Sequence, residues 1–580
     1  MGDCFGGSTP PRNDIINFMN PFSSFFNTSS PRGQNRLAWL IVIFYIIFVS
    51  VVAQEKSLMA DEAKHYKYGM NILNGDSNRF DDSKMPVSAL NALPAKLASF
   101  LPDSQLKIYL DKIFVARFVT ILFSALAAYM VFHWSRKLYG FIPALISLTL
   151  YALDPNLIAH SEFIATDIPM TAMILFSCYW LWQFANSTSD LTMRPIRSKD
   201  FWIFAIVLGL SQLAKYTAAS LYPLFLIILL IYVFRGGFSH WMQKTAKVIT
   251  VIIIAGLVGI FIINIGFLFN KTFTRFGDYA FRSDGFKSLQ ANLSFLNNIP
   301  APVPYPYLEG FDWIIQREAT GEGYGNLYML GQIHPVKGFA GYYIVASLLK
   351  VPITTQIIIW ASLVIYLFPR LRKSFGRFSD VNEPKQTSEV FVFKDEIFLL
   401  LPVLFYTIYF NFFYNAQLGI RFYLIVFPLL YVFAGSLFVN WKEFSIRQKI
   451  GVYVLGAYLL ISVLSYSPNY IPYFNEFIWD RKTAYKYLAD SNIDWEQSKE
   501  YLKKYQEEHP EAIVSPQYKI ISGLIVVNAN DLVGVTVKPE MYQWLRENFE
   551  PVDTVAYSYL VYEITPEQID RLCAETDYCQ

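Results

Sequence analysis

The sequence predicts a polytopic α-helical membrane protein of about eleven transmembrane helices, with two long external loops and a small external α/β C-terminal domain. Three observations predict it. Only 16% of the 580 residues are charged, against roughly 25% in soluble domains. Apolar windows long enough to cross a bilayer recur from residue 37 to residue 466. Beyond about residue 470 the chain turns polar. A net charge of +2 gives no basic face, so nucleic acid is not expected as a partner.

Residues 1–36 are rich in Ser, Asn, Pro and Gly and are expected to form a cytoplasmic tail with little fixed structure. The apolar run 37–53 follows without a small-residue cleavage site, so a retained span is expected rather than a signal peptide. Further spans are expected near 113–134, 140–155, 167–185, 201–216, 218–234, 247–268, 341–368, 397–412, 419–440 and 450–466, giving a membrane domain over 37–469.

Charge on the connecting loops sets the orientation. With the N-terminus inside, the inner loops hold Arg136 and Lys137, then Arg194, Arg197 and Lys199, then Arg235, Lys244 and Lys247. Arg370, Arg372, Lys373 and Arg377 follow, then Lys442, Arg447 and Lys449. The short outer loops 156–166 and 413–418 hold no Lys or Arg. This is the positive-inside pattern. It places the long loops 54–112 and 269–340 outside, and both exceed an ordinary connection. The second carries Pro300–Pro306 and a Gly-rich stretch, 321–325, whose flexible backbone suits folding over a substrate.

An odd span number also puts residues 470–580 outside. There the pattern predicts a helix-like segment over 482–508, a β-rich run over 520–527, a short helix at 539–548 and a strand at 555–564. A last helix opens with Thr565, Pro566 and Gln568 in capping-box spacing. Cys573 and Cys579 can pair in an external domain. Two free thiols are the alternative.

Ionisable groups inside a bilayer cost about 2.5–3.5 kcal/mol each and usually face a site. Arg117, Lys215, Lys350 and Arg421 all fall in the outer half of their spans, where positive charge should be scarce. Snorkelling explains any one of them. Four together favour an anion held at that depth, and a lipid phosphate fits. Acids gather on the same side: Asp61-Glu62 in the first external loop, with His65 a turn later, and Asp167 closing the loop that begins at His160. For Asp61 the alternative is a solvated helix start; for Asp167 it is an N-cap. Carboxylates beside cations at one membrane face suit a displacement on a lipid-linked substrate, with a carboxylate as base and the cations on the departing phosphate.

Taken in order, these residues resemble the GT-C superfamily of membrane glycosyltransferases. The nearest group is the protein O-mannosyltransferase-like family with its bacterial phospholipid carrier-dependent relatives and the aminoarabinose transferases. The resemblance runs through Asp61-Glu62-Ala63-Lys64-His65, the Lys84-Met85-Pro86 stretch, Asn156 to His160, Thr166-Asp167-Ile168-Pro169 and Ala214-Lys215-Tyr216-Thr217. It continues through Tyr307-Leu308-Glu309-Gly310, Leu349-Lys350-Val351-Pro352 and Arg421-Phe422-Tyr423-Leu424. Asp490-Ser491-Asn492-Ile493-Asp494-Trp495-Glu496-Gln497 is similar to a bacterial Asp-Ser-Asn-Leu-Asp-Trp-Gly-Gln pattern.

The resemblance implies an inverting glycosyltransferase that uses a polyprenyl- or dolichyl-phosphate-linked sugar, acting on the outer face of the plasma (inner) membrane. Asp61 with Glu62 would be catalytic, and Arg117, Lys215, Lys350 and Arg421 would bind the lipid phosphate. His65, His160, Asp167 and Glu309 would support substrate. No cofactor is expected; a divalent cation near Asp61, Asp167, His65 and His160 is the alternative. Met85-Pro86 and Glu496 depart from the family pattern, and the tandem sugar-binding repeats of eukaryotic protein O-mannosyltransferases are absent from the sequence. The acceptor is therefore open among protein, lipid and glycan. A flippase for lipid-linked sugars, a surface-polysaccharide ligase and an inactive scaffold are the rival readings. A flippase would not need Asp61, and would carry charge through both leaflets.

Overall fold

The structure is a computed structural model; it describes residues 30–76, 84–187, 197–235, 237–368 and 394–579. Most of the expected tail, and Arg194, Arg370, Arg372, Lys373 and Arg377, lie outside the described residues. The first helix, Pro31–Gln54, begins six residues before the expected tail ends. Ser30 caps it by accepting from the Gly33 amide at 3.1 Å, with Pro31 at the first helical position.

Among the described residues, seven helices are long and apolar enough to cross a bilayer, or nine if each of two bent pairs is one span. The expected count of about eleven is reached only by adding Lys199–Ser211 and Ile397–Phe412, of 13 and 16 residues. At 1.5 Å per residue these measure about 20 and 24 Å, short of a straight crossing of about 30 Å.

Both bent spans have local causes. The expected third span, 140–155, is found as Phe141–Ala152, and a second helix, Pro155–Ser161, bent from it by 59°, takes up the start of the expected outer loop 156–166. Between them Asp154 Oδ1 accepts from the amides of Asn156 and Leu157 at 2.7 and 3.1 Å, which starts a new helix. The expected eighth span divides into Tyr342–Lys350 and Ile353–Leu367, bent by 119°, because Pro352 has no amide and pushes the preceding residue out of helical geometry. The carbonyls freed there are satisfied. Asn475 Nδ2 donates to Leu348 and Val351 at 2.7 Å each, and its amide donates to Leu349. Irregular backbone at membrane depth survives only when it is bonded in this way.

Helix Asp167–Ser187 and the segment Ile420–Phe438 are each 83% buried along their apolar windows, whereas Ile446–Leu464 is 17% buried. The first two therefore form the centre of the bundle, and the last presents Ile450, Val454 and Ile461 outward, as a lipid-facing helix does. The first long loop folds into the helices Glu62–Leu73 and Ser88–Ala98. The second carries the helix Tyr305–Thr320, stopped by Gly321 at φ 70°, and a hairpin of β1 (Leu327–Met329) and β2 (Gln332–His334).

Past residue 470 lies a four-stranded sheet of β3 (Ile513–Val514), β4 (Gly523–Asn528), β5 (Asp553–Val555) and β6 (Tyr559–Ile564), in the order β3-β4-β6-β5. β3 runs parallel to β4, and the other pairs are antiparallel. Alternation along β4 separates two faces. Val526 packs with Tyr501, Leu502 and Tyr505 of the helix Lys499–Glu508, while Ile525 and Val527 join the main core. The last helix, Pro566–Glu575, has the expected reciprocal capping box of Thr565 and Gln568, and Cys573 and Cys579 form a disulfide.

The helix expected over 482–508 is found only from Lys499. Upstream, short 3-10 turns at Arg481–Lys486 and Asp490–Asn492 replace it. Asp490 and Glu496 hold left-handed backbone, at φ 58° and 70°, and the side chains of Ser491 and Asn492 bond to distant backbone. Such polar side chains compete with helical bonding. Left-handed geometry at Glu496 is of the kind that glycine adopts without strain. Glu496→Gly is expected to raise stability by about 1 kcal/mol, because the Glu496–Lys499 ion pair is half exposed and contributes little. Thermal denaturation of the solubilised protein checks this; a fall would show that the ion pair outweighs the backbone.

Candidate active site

The chain leaves the first helix, runs through residues 55–60 and turns at Asp61 into the helix Glu62–Leu73. The Asp61 carboxylate is 30% exposed, with Oδ1 3.9 Å from Lys84 Nζ and Oδ2 3.7 Å from Arg421 Nη1. Neither distance is that of a hydrogen bond, so the carboxylate is held by charge yet keeps its lone pairs available. Burial pushes its pKa up, but Arg421 and Lys84 outweigh burial and hold it below the usual carboxylate range. One turn on, burial pushes the His65 imidazole down to about 3; it is neutral, with Nδ1 3.2 Å from Ser88 Oγ.

Asp167 opens the central helix and is 5% exposed, with Oδ1 2.6 Å from Lys215 Nζ and Oδ2 3.9 Å from Arg421 Nη1. Lys215 stands in the break before the 3-10 turn Tyr216–Ser220 and lies 4.1 Å from the Phe422 ring centre. Arg421 enters through the 3-10 turn Ile420–Val426. Gly419 precedes it at φ 84°, where a Cβ would collide with Ser491. Arg421 Nε donates to the Leu418 carbonyl at 3.1 Å. Its Nη1 lies 3.7 and 3.9 Å from the carboxylates of Asp61 and Asp167, and its charge also acts on buried Asp490.

These groups line a cavity of about 1090 Å³. Its wall carries the carboxylates Asp61, Asp167, Glu318 and Glu322 and the cations Lys64, Lys84, Lys215, Arg317 and Arg421. Glu318 is taken up by the Tyr324 hydroxyl and the amides of Asn415 and Ala416, whereas Asp61 and Asp167 lie in the field of Lys64, Lys84, Lys215 and Arg421, which suits a further negative group beside them. The lining also holds the aromatic side chains of Trp313, Tyr324, Tyr409 and Tyr414.

Other expected site residues lie elsewhere. Glu62 and Arg117 form a bidentate pair, Arg117 Nε to Glu62 Oε1 at 2.8 Å and Nη2 to Oε2 at 2.7 Å. Arg117 donates its remaining hydrogens to the carbonyls of Ala53, Lys56 and Ser57. All five guanidinium donors are thus engaged, which leaves none for a phosphate. Glu62 also accepts from the amides of Met59 and Ile164 at 3.0 Å each. Fully buried, it pins the loop that presents Asp61 and does not face the cavity. Lys350, at the 119° break, donates to the carbonyls of Ile471 and Asn492 at 2.7 and 2.6 Å and is not on the cavity wall. His160 packs edge-on against Trp495, behind the wall. Glu309 is raised in pKa by burial, with Arg282 as its nearest counter-charge, and is also off the wall. Among the described residues no group of three or more His, Cys, Asp or Glu is arranged to hold a metal ion; Asp61 and Asp167 face cations instead.

Lys84 stands in a stretch that resembles the family, yet its own sequence assigns it no role, since a lysine in a polar loop carries no sign of what it faces. Glu162 is equally silent. Its Oε1 is buried without a hydrogen-bond partner, and burial pushes its pKa up to about 8 despite Lys56 and Arg117. A folded-state pKa above the ordinary 4.5 means that the folded chain binds the extra proton, so stability falls as pH rises between those values. Glu162→Gln is therefore expected to be more thermostable than the native chain at pH 8, with the gain gone by pH 4.5. A pH-independent difference in melting temperature would contradict this.

Fold and site together define a multi-pass membrane protein with a cavity in which Lys64, Lys84, Lys215 and Arg421 surround Asp61 and Asp167. Residues 97–263 match the family model described as dolichyl-phosphate-mannose-protein mannosyltransferase, and Arg117, Asp167 and Lys215 lie within that match. That match spans less than a third of the chain. Two solved structures are similar in outline. ArnT from Cupriavidus metallidurans bound to undecaprenyl phosphate has a TM-score of 0.45 at 12% identity, covering 77% of this chain and 68% of that one. The archaeal oligosaccharyltransferase AglB from Archaeoglobus fulgidus, in complex with an inhibitory peptide and a dolichol-phosphate, has a TM-score of 0.45 at 12% identity, covering 80% of this chain and 59% of that one. No curated protein matches the chain significantly.

Proposed function

We propose that the protein is an inverting glycosyltransferase that moves a sugar from a polyprenyl- or dolichyl-phosphate donor to an acceptor hydroxyl at the outer membrane face. The observation that carries this reading is the difference between Asp61 and Asp167. Asp167 is tied to Lys215 at 2.6 Å. Asp61 stands free of short bonds, between Lys84 and Arg421. Asp61 is the base: it takes the proton of the acceptor hydroxyl as that oxygen bonds to the anomeric carbon. The bond from that carbon to the phosphate oxygen breaks, and the electron pair leaves with the lipid phosphate. Arg421 takes the phosphate on its open Nη donors, with Lys215 and Lys84 adding charge. One displacement inverts the anomeric centre. Held reactants and a neutralised leaving group supply most of the acceleration.

The outer-face assignment is supported by the charge asymmetry of the short loops and by the Cys573–Cys579 disulfide, which suits an oxidising compartment. The acceptor is a protein, lipid or glycan hydroxyl. The test is to incubate the purified chain in sealed proteoliposomes with a polyprenyl-phosphate monosaccharide and a simple glycoside acceptor. Release of polyprenyl phosphate with a product of inverted configuration supports the reading. Movement of intact donor across the bilayer without release favours a flippase and overturns it.

A further inference from the structure

Arg421 is the cation with donors to spare, and what aims it comes from the far end of the chain. Trp495 is 8% exposed, and its ring lies 3.9 Å from the Arg421 guanidinium carbon. Phe422 is a looser aromatic neighbour, at 4.9 Å. The segment holding Trp495 is locked to the turn that carries Arg421. Asn492 Oδ1 accepts from the Ile420 amide at 3.0 Å, and Ser491 Oγ donates to the Leu418 carbonyl, the same carbonyl that receives Arg421 Nε.

The segment also grips the other side of the site. The Trp495 carbonyl accepts from the Ala60 amide at 3.3 Å, one residue before Asp61, and the Gln497 carbonyl accepts from Ser57 at 3.2 Å. Trp495 is itself fixed from behind, since its amide donates to Gln497 Oε1 at 2.5 Å. One residue therefore touches both halves of the acid–cation pair: its backbone holds the residue before Asp61, and its side chain carries Arg421.

We propose that Trp495 is a positioning residue of the transfer site, its ring holding the Arg421 guanidinium between Asp61 and Asp167 so that the Nη donors meet the lipid phosphate. This rests on the function proposed above. The alternatives for Arg421 are visible: without the ring it can close the 3.7 and 3.9 Å gaps to Asp61 and Asp167 and form direct bonds with them. That would occupy its free donors and mask the base. A stacked guanidinium keeps its in-plane N–H groups open while its face is occupied. The region beyond residue 470 is then part of the site, not an appendage.

The experiment uses the full chain in nanodiscs, with undecaprenyl phosphate, lacking any sugar, as the binding probe and the transfer assay beside it. Trp495→Leu keeps apolar volume and removes the ring face, and Trp495→Phe restores a ring. Binding of undecaprenyl phosphate is expected to weaken about tenfold in Trp495→Leu and to recover to within about threefold of native in Trp495→Phe. In an Arg421→Ala background the same Trp495→Leu change is expected to have almost no further effect, because the ring acts through the guanidinium. A purely structural role would lower melting temperature and affinity alike in both backgrounds. Additive losses, or native affinity in Trp495→Leu, overturn the inference while leaving native transfer intact. A native chain that neither binds the probe nor transfers sugar overturns the proposed function, and this inference with it. Should Trp495→Leu not fold, Trp495→Met, apolar and without a ring, takes its place in both backgrounds with the same expected and overturning results.

Discussion

Asp61→Asn is expected to lower the rate of sugar transfer by about 10²–10⁴-fold, the usual contribution of a positioned general base, while leaving donor binding near native. The amide keeps the shape of the carboxylate but cannot take a proton. Its loss also removes an anion from beside Arg421 and Lys84, so donor affinity should hold or improve. This split between rate and affinity distinguishes a base from a phosphate-organising group. The pH profile carries a second signature. Arg421 and Lys84 hold Asp61 below the ordinary 3.8 in the free protein, so the acid limb of kcat/KM should fall below that value. A bound lipid phosphate takes up the field of the same cations and lets the Asp61 pKa rise. The acid limb of kcat should therefore lie at higher pH than that of kcat/KM.

Arg117→Met is expected to destabilise the protein by about 3–5 kcal/mol, since breaking one side of a buried ion pair strands the other charge. Five bonds end on this guanidinium, and three of them hold the carbonyls of Ala53, Lys56 and Ser57 on the way to Asp61. Glu62→Gln should cost less, because an amide still accepts from Met59 or Ile164. The double variant Arg117→Met/Glu62→Gln should lose less than the sum of the two. Unfolding of the solubilised protein measures all three. Were Arg117 a phosphate ligand, the outcome would be reversed: donor affinity would drop while stability stayed close to native.

Arg117 and Arg421 show where sequence reading stops. Both are intramembrane arginines near an outer rim, and both carry the same insertion cost. One is consumed by the carbonyls of a loop and the other is left with spare donors. That difference depends on how residues 53–62 and 418–421 fold, and composition does not encode it. Lys215 and Arg421 were legible because charge in an apolar stretch stands out, and Asp61 and Asp167 because they open or close loops at the outer ends of spans; the cavity wall holds all four. Lys84, Glu162 and Trp495 were not, since each looks ordinary in its own neighbourhood and gains meaning only from a distant partner.

The spans divide in the same way. Long apolar windows marked their positions, but hydropathy is blind to direction, so the 59° and 119° bends had to be read from Asp154-Pro155 and Pro352. The segment 482–508 has helical composition, yet left-handed backbone at Asp490 and Glu496 and the long-range bonds of Ser491 and Asn492 override it. Tertiary contacts won there, and they are the contacts that build the site.

The most direct test is the pool of polyprenyl-phosphate sugars, measured by mass spectrometry of lipids from cells that make the native chain or Asp61→Asn at equal membrane levels. Accumulation of one lipid-linked monosaccharide in the variant is the predicted result, and its mass identifies the sugar class. An unchanged pool, with the variant folded and in the membrane, would contradict Asp61 as the base of a lipid-phosphate-sugar transferase.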